Sequence, residues 1–174
     1  MVIYLLILLA ILTRFIPHPA NFTAVGEMAL FSGFYLQKKW SFILVIVVML
    51  ISDFFIGFYN PWIMLSVYGS FATVAILGWF FRNKAKGINV LGLSLFSSTL
   101  FYLITNFVVW LAGNMYPKNI SGLLWCYYMA IPFYRNMILG DLFYVIILFG
   151  AYALTMKMIM KGARHGRRFK PSRV

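Results

Sequence analysis

The run ISGLLWCYYMAIPF, residues 120–133, decides how many times this chain crosses a bilayer. It is apolar, yet its 14 residues fall short of the roughly 20 that a transmembrane helix requires. Were it a crossing of its own, the cationic C-terminus would end outside, against the rule that positive charge stays on the cytoplasmic side. Kept as a short interfacial or re-entrant segment on the outer side, it leaves six spans. Lys38, Lys39, Arg82, Lys84, Lys86 and the seven cations from Lys157 onward then share the cytoplasmic side, and only Arg14, Lys118 and Arg135 lie opposite. The expected architecture is therefore all-α: an integral membrane bundle of six helices in a cell (inner) membrane, multi-pass, with both termini cytoplasmic.

The boundaries of the other spans carry their own signals. Val2 to Ile16 is apolar and runs into RFIPHPANF, where Pro17 and Pro19 stop a helix. That first run lacks a cationic leader and an A-x-A cleavage site, so it reads as a retained helix and not as a removed signal peptide. The second span, from about Asn21 to Leu36, is short and interrupted by Gly26, Glu27 and Gly33, which suits a helix facing other helices. Trp40 to Phe58 closes at the turn YNPW, Trp62 to Phe81 at RNKAK, Gly87 to Ala112 at GNMYPKN, and Met137 to Met160 is the last span. Residues 1–161 form one transmembrane domain in this reading, and 162–174 a basic cytoplasmic tail.

Composition supports this class and excludes others. The 174 residues are 63% hydrophobic and 10% charged, with a mean hydropathy of +0.89; a water-soluble domain of this size cannot hide so much apolar surface. A net charge of +12 would suit nucleic acid, but seven of the cations sit in the tail. There they act as a topology signal and as partners for anionic membrane lipids, so no nucleic acid partner is expected. A single cysteine, Cys126, excludes an internal disulfide. No HExxH, GxSxG or Walker loop is present, and His18 alone is a thin basis for a metal site. Neither catalysis, nor a cofactor, nor a bound metal is expected.

With topology fixed, the polar residues sort by depth. Glu27, Asp53 and Asp141, the only acids, all fall in the outer half, with Arg14, His18, Asn21, Asn106, Arg135 and Asn136. Charges on a lipid-facing helix cost about 2.5 to 3.5 kcal/mol each at mid-bilayer, so these groups should face the bundle interior and find partners. One reading is an outward-opening pocket in which Arg14, Asn21, Glu27, Asp53, Asn106, Arg135, Asn136 and Asp141 bind a small-molecule ligand. The other is a set of salt bridges that fastens helices, for example Arg135 with Asp53 or Asp141. Outer aromatics, among them Tyr59, Trp62, Trp125, Tyr128 and Tyr134, read either as an interfacial belt or as stacking walls. Cys126 reads either as a ligand or reactive thiol in this layer or, with nothing marking a lowered pKa, as a buried inert one. No internal or inverted repeat is evident, which disfavours alternating-access carriers.

The segments RFIPHPANFTAVGEMALFSG (14–33), LISDFFIGF (50–58), TNFVVWL (105–111) and IPFYRNMILGDLFY (131–144) resemble the signature stretches of an uncharacterised family of small bacterial membrane proteins, over nearly the whole chain. That family in turn looks like the substrate-binding S components of energy-coupling-factor transporters, through size, span number and outer clustering of polar groups. The resemblance implies a six-helix binder of a water-soluble nutrient or cofactor precursor, working with separate ATPase and coupling transmembrane subunits. S components dock through small residues in helix one, where this chain has only Ala10; its nearest small-residue stripe is Gly26, Ala29 and Gly33 in span two. The same fold serves a cell-shape subunit, so a structural or interaction role is the alternative.

Overall fold

A computed structural model describes residues 2–84 and 87–168, with side chains to residue 161. Lys86 and the tail residues Arg164, His165, Arg167, Arg168, Lys170 and Arg173 therefore lie outside the described side chains. Six α-helices account for the described chain: α1 (Val2–Thr13), α2 (Val25–Tyr35), α3 (Lys38–Ile56), α4 (Pro61–Phe81), α5 (Gly87–Ala112) and α6 (Ile120–Arg168), with a 3-10 turn at Arg82–Lys84. Four of them, α3 to α6, are long and apolar enough to cross a membrane. Large apolar side chains such as Leu8, Phe54, Leu65, Phe96 and Ile146 stand exposed along the bundle. Such a surface suits lipid and not water, so the chain is a helical membrane protein by length and composition.

Helices α1 and α2 differ from the sequence expectation. With 12 and 11 residues they rise only about 18 and 16 Å, against a hydrocarbon core of about 30 Å. The expected first and second spans shrink because Pro17 and Pro19 end the first run, and residues 14–24 form a loop instead of helix. Helix α2 is nevertheless the centre of the molecule. Every residue from Val25 to Phe34 is buried, and α2 touches all five other helices. The glycine-rich character that marked it as helix-facing is used directly: a Cβ at Gly33 would collide with the Ala75 carbonyl of α4, and one at Gly78 with the Leu30 carbonyl of α2. Two backbones thus pass at a distance that only glycine permits.

The turn at 57–60 follows its sequence closely. Gly57 ends α3 with φ 117°, a conformation that disfavours any side chain. Asn60 then caps α4, its Oδ1 accepting from the N–H groups of Trp62 and Ile63 at 3.0 and 3.4 Å, with Pro61 in the first turn.

Helix α6 corrects the reading of residues 120–133. That stretch is no separate interfacial or re-entrant piece; it is the first part of one continuous 49-residue helix, about 73 Å along its length, that continues past Pro132. Packing against α5 holds the helix on the N-terminal side of the proline. The Tyr102 hydroxyl of α5 donates to the Tyr127 carbonyl at 2.7 Å, and the Tyr127 hydroxyl donates back to the Leu103 carbonyl at 2.8 Å. These bonds pin the helix just before the site where proline removes an N–H.

The two ends of the bundle differ in charge. At one end Lys38 lies 5.0 Å and Arg82 5.5 Å from the Trp79 ring, and Lys84 5.8 Å from that of Phe81. The loops 14–24 and 57–60 contribute Arg14, His18, Asn21, Thr23 and Tyr59 to the cavities described next.

Candidate ligand pocket and buried carboxylates

Arg14 follows α1 and turns inward to meet Asp53 of α3. Its Nη2 donates to Asp53 Oδ1 at 2.6 Å, while Nη1 lies 2.9 Å from the Met49 sulfur and Nε has no partner. The Tyr68 hydroxyl of α4 donates to Asp53 Oδ2 at 2.8 Å, so both carboxylate oxygens are engaged. Asp53 is buried and Arg14 nearly so, and theirs is the one ion pair among the described residues. This pair replaces the salt bridges suggested for Arg135. That arginine is exposed on α6, and six residues separate it from Asp141, which sets the two about 120° apart around the helix.

Beside the pair opens a cavity of about 550 Å³, with Arg14, His18, Asn21, Thr23 and Tyr59 as its polar lining and Phe71 and Phe101 among its apolar walls. A second cavity of about 230 Å³ adjoins it across Asn21, Val67 and Phe101, and is bordered by Tyr102, Thr105, Asn106 and Tyr134. Asn21 belongs to both and adopts φ 64°, a left-handed conformation that asparagine accepts more readily than most residues. Asn106 donates one N–H of its amide to the Tyr102 carbonyl at 2.8 Å, which leaves its second N–H and its side-chain carbonyl unspent. Tyr59, in the turn between α3 and α4, has its phenol pushed up to about 12 by partial burial and then by the charge of Asp53, with Arg14 opposing. It therefore remains a hydrogen-bond donor throughout the physiological range.

The eight residues singled out in the sequence separate into three groups. Arg14, Asn21 and Asn106 line the cavities, with Asp53 behind Arg14 as its counter-ion. Glu27 and Asp141 lie elsewhere, buried together against the serines of α5. Arg135 and Asn136 are peripheral: Arg135 is exposed, and Asn136 donates to the Ala20 carbonyl at 3.2 Å, holding the α1–α2 loop against α6. The outer aromatics split too. Trp62, Trp125 and Tyr128 are more than half exposed, as an interfacial belt requires, while Tyr59 and Tyr134 border cavities. Cys126 is buried, its thiol 3.4 Å from the Asn106 carbonyl.

Sequence reasoning missed the hydroxyl groups. Tyr68, Ser94, Ser98 and Tyr102 all make contacts that organise the interior. The signal was present in SLFSS at 94–98, where serines recur three and four residues apart on one helix face. Serine passes unnoticed in an apolar span because it costs little there.

Over residues 1–162 the sequence matches the model of a family of unknown function, DUF6580. The chain belongs to that family. No curated protein and no solved structure matches it. DUF6580 membership accounts for the shared signature stretches and carries no activity with it, so what this protein does has to be argued from its own cavities and buried groups.

Proposed function

We propose that this DUF6580 protein captures a small, water-soluble nutrient or cofactor precursor in the joined cavities around Asn21, without catalysis of its own. The observation that carries the reading is the larger cavity itself. Its volume of about 550 Å³ falls in the range of small-molecule sites, roughly 300 to 1,000 Å³, and it combines apolar walls with a few convergent polar groups, as such sites do. Because Asp53 already neutralises Arg14, the ligand that fits best is neutral overall, with a flat apolar body against Phe71 and Phe101 and hydrogen-bonding edges toward Asn21, Thr23 and Tyr59.

In this reading the cationic end faces the cytoplasm of a bacterial cell and the cavities open outward, with both termini inside. Uptake then needs ATPase and coupling membrane subunits on other chains, as the likeness to S components implies. The small-residue stripe of α2 is consumed inside the bundle, so docking on such subunits would have to use another face.

The full satisfaction of Asp53 by Arg14 and Tyr68 favours a second reading, a scaffold whose charges only fasten helices. A thermal-shift screen of neutral polar metabolites on the purified protein separates the two. Capture predicts a compound that stabilises the protein, by about 2.7 kcal/mol at a hundred times its Kd, and whose effect is lost in Thr23→Val, which removes a hydroxyl from the larger cavity. A scaffold predicts no stabilising compound.

A further inference from the structure

Glu27 and Asp141 are the two acids that the pocket does not use. Both are buried, at 1% and 3% exposure, and both are held by serines of one face of α5. Ser94 donates to Glu27 Oε1 at 2.6 Å and Ser98 to Asp141 Oδ2 at 2.7 Å. Gly26 makes room for the pairing: a Cβ there would stand 3.0 Å from Asp141 Oδ1. Two further groups are left without partners, namely Glu27 Oε2 and the Ser97 hydroxyl, the latter buried on the same face as Ser94 and Ser98. Two neighbouring ionised carboxylates in an apolar bundle repel each other and have lost their hydration, and a carboxylate oxygen with no donor cannot be left charged there.

No described cation relieves this charge. From the α1–α2 loop and α3, Arg14 and Asp53 face each other, and Tyr68 of α4 donates to Asp53. Tyr35, on α2 itself, packs with its ring tilted against that of Tyr152, 4.2 Å between centroids, nearer the cationic end. Arg82 and Lys84 sit at that end over Trp79 and Phe81. Toward the pair, α5 offers only serines and α6 only Asp141 itself.

We propose that Glu27 and Asp141 form a proton-binding site that holds one exchangeable proton, resident on Glu27 Oε2. Ser98 is built to accept a change of occupancy. Its hydroxyl has a single hydrogen but lies within 2.7 Å of Asp141 Oδ2 and 3.0 Å of the Ser94 carbonyl. It can donate to Asp141 while that group is ionised, and swing to the carbonyl while accepting from Asp141 when the proton moves there. The site is independent of the outer cavities and stands whether or not they bind a ligand.

Glu27 is the only glutamate in the sequence, which allows a test on the wild-type chain. The full chain, made by cell-free synthesis with glutamate carrying 13C at its carboxyl carbon, gives one Cδ resonance in detergent micelles. The expected result is a protonated-carboxyl position at neutral pH that moves to the carboxylate position on alkalinisation. In Asp141→Asn that transition moves toward acid by about one pH unit, a tenfold change in proton affinity. A carboxylate position at mildly acidic pH overturns the proposal. So does a shift to the carboxylate position on adding sodium chloride, but not choline chloride, at constant neutral pH, because the site would then take sodium in place of the proton. If the variant does not fold, the wild-type titration and salt comparison still decide the matter.

Discussion

Asp53 is the residue on which the cavity end of the bundle turns. It neutralises Arg14 beside the cavity and accepts from Tyr68, tying the α1–α2 loop, α3 and α4 together. Asp53→Asn leaves a nearly buried guanidinium without its counter-ion and should cost about 3 to 5 kcal/mol. Replacing Arg14 as well, as Arg14→Met with Asp53→Asn, should recover most of that loss, because the stranded charge goes with its partner. Chemical unfolding of the single and double variants in micelles measures both. Arg135→Ala should change stability by less than about 0.5 kcal/mol in the same assay, since the side chain is exposed and makes no ion pair with described residues.

At the scale of elements, the crossing of α2 and α4 is the tightest joint. Gly78→Ala puts a methyl into the Leu30 carbonyl and should destabilise by at least the 1 to 3 kcal/mol typical of overpacking, roughly, or prevent folding; thermal unfolding of the purified variant reads this directly. Pro132→Ala should act the other way and raise the unfolding midpoint, because it restores an N–H to the interior of α6. These two elements also show what could be read from the sequence. Gly26 and Gly33 identified a helix enclosed by others, and Pro17, YNPW and GNMYPKN located the loops. The length of α6 was not legible. Pro132 and Arg135 look like a break when read locally, and the tyrosine bonds that hold this part of α6 against α5 join residues about 25 apart, beyond the reach of a local reading. The pairing of Arg14 with Asp53 was hidden for a similar reason: 39 residues separate the two, and depth alone could not choose between Arg14 and Arg135 as the partner.

The whole molecule is polarised. Lys38, Lys39, Arg82, Lys84, Lys157 and Lys161 are all exposed, and the first four cluster with aromatic rings, none of the four lining the two cavities around Asn21. All three acids are buried. This separation is the support for the orientation proposed above, which predicts that a C-terminal fluorescent reporter which matures only in the cytoplasm will be bright, while an alkaline phosphatase fused at the same point will be inactive. The polarity also brings the central claim, an outward cavity that holds a small molecule, to one decisive measurement. Val67 lines both cavities, so Val67→Trp should take up space in them. Native mass spectrometry of gently purified wild type and Val67→Trp should show a small-molecule adduct on the wild type and none on the variant. An adduct-free wild type, or the same adduct retained on Val67→Trp, would contradict the account.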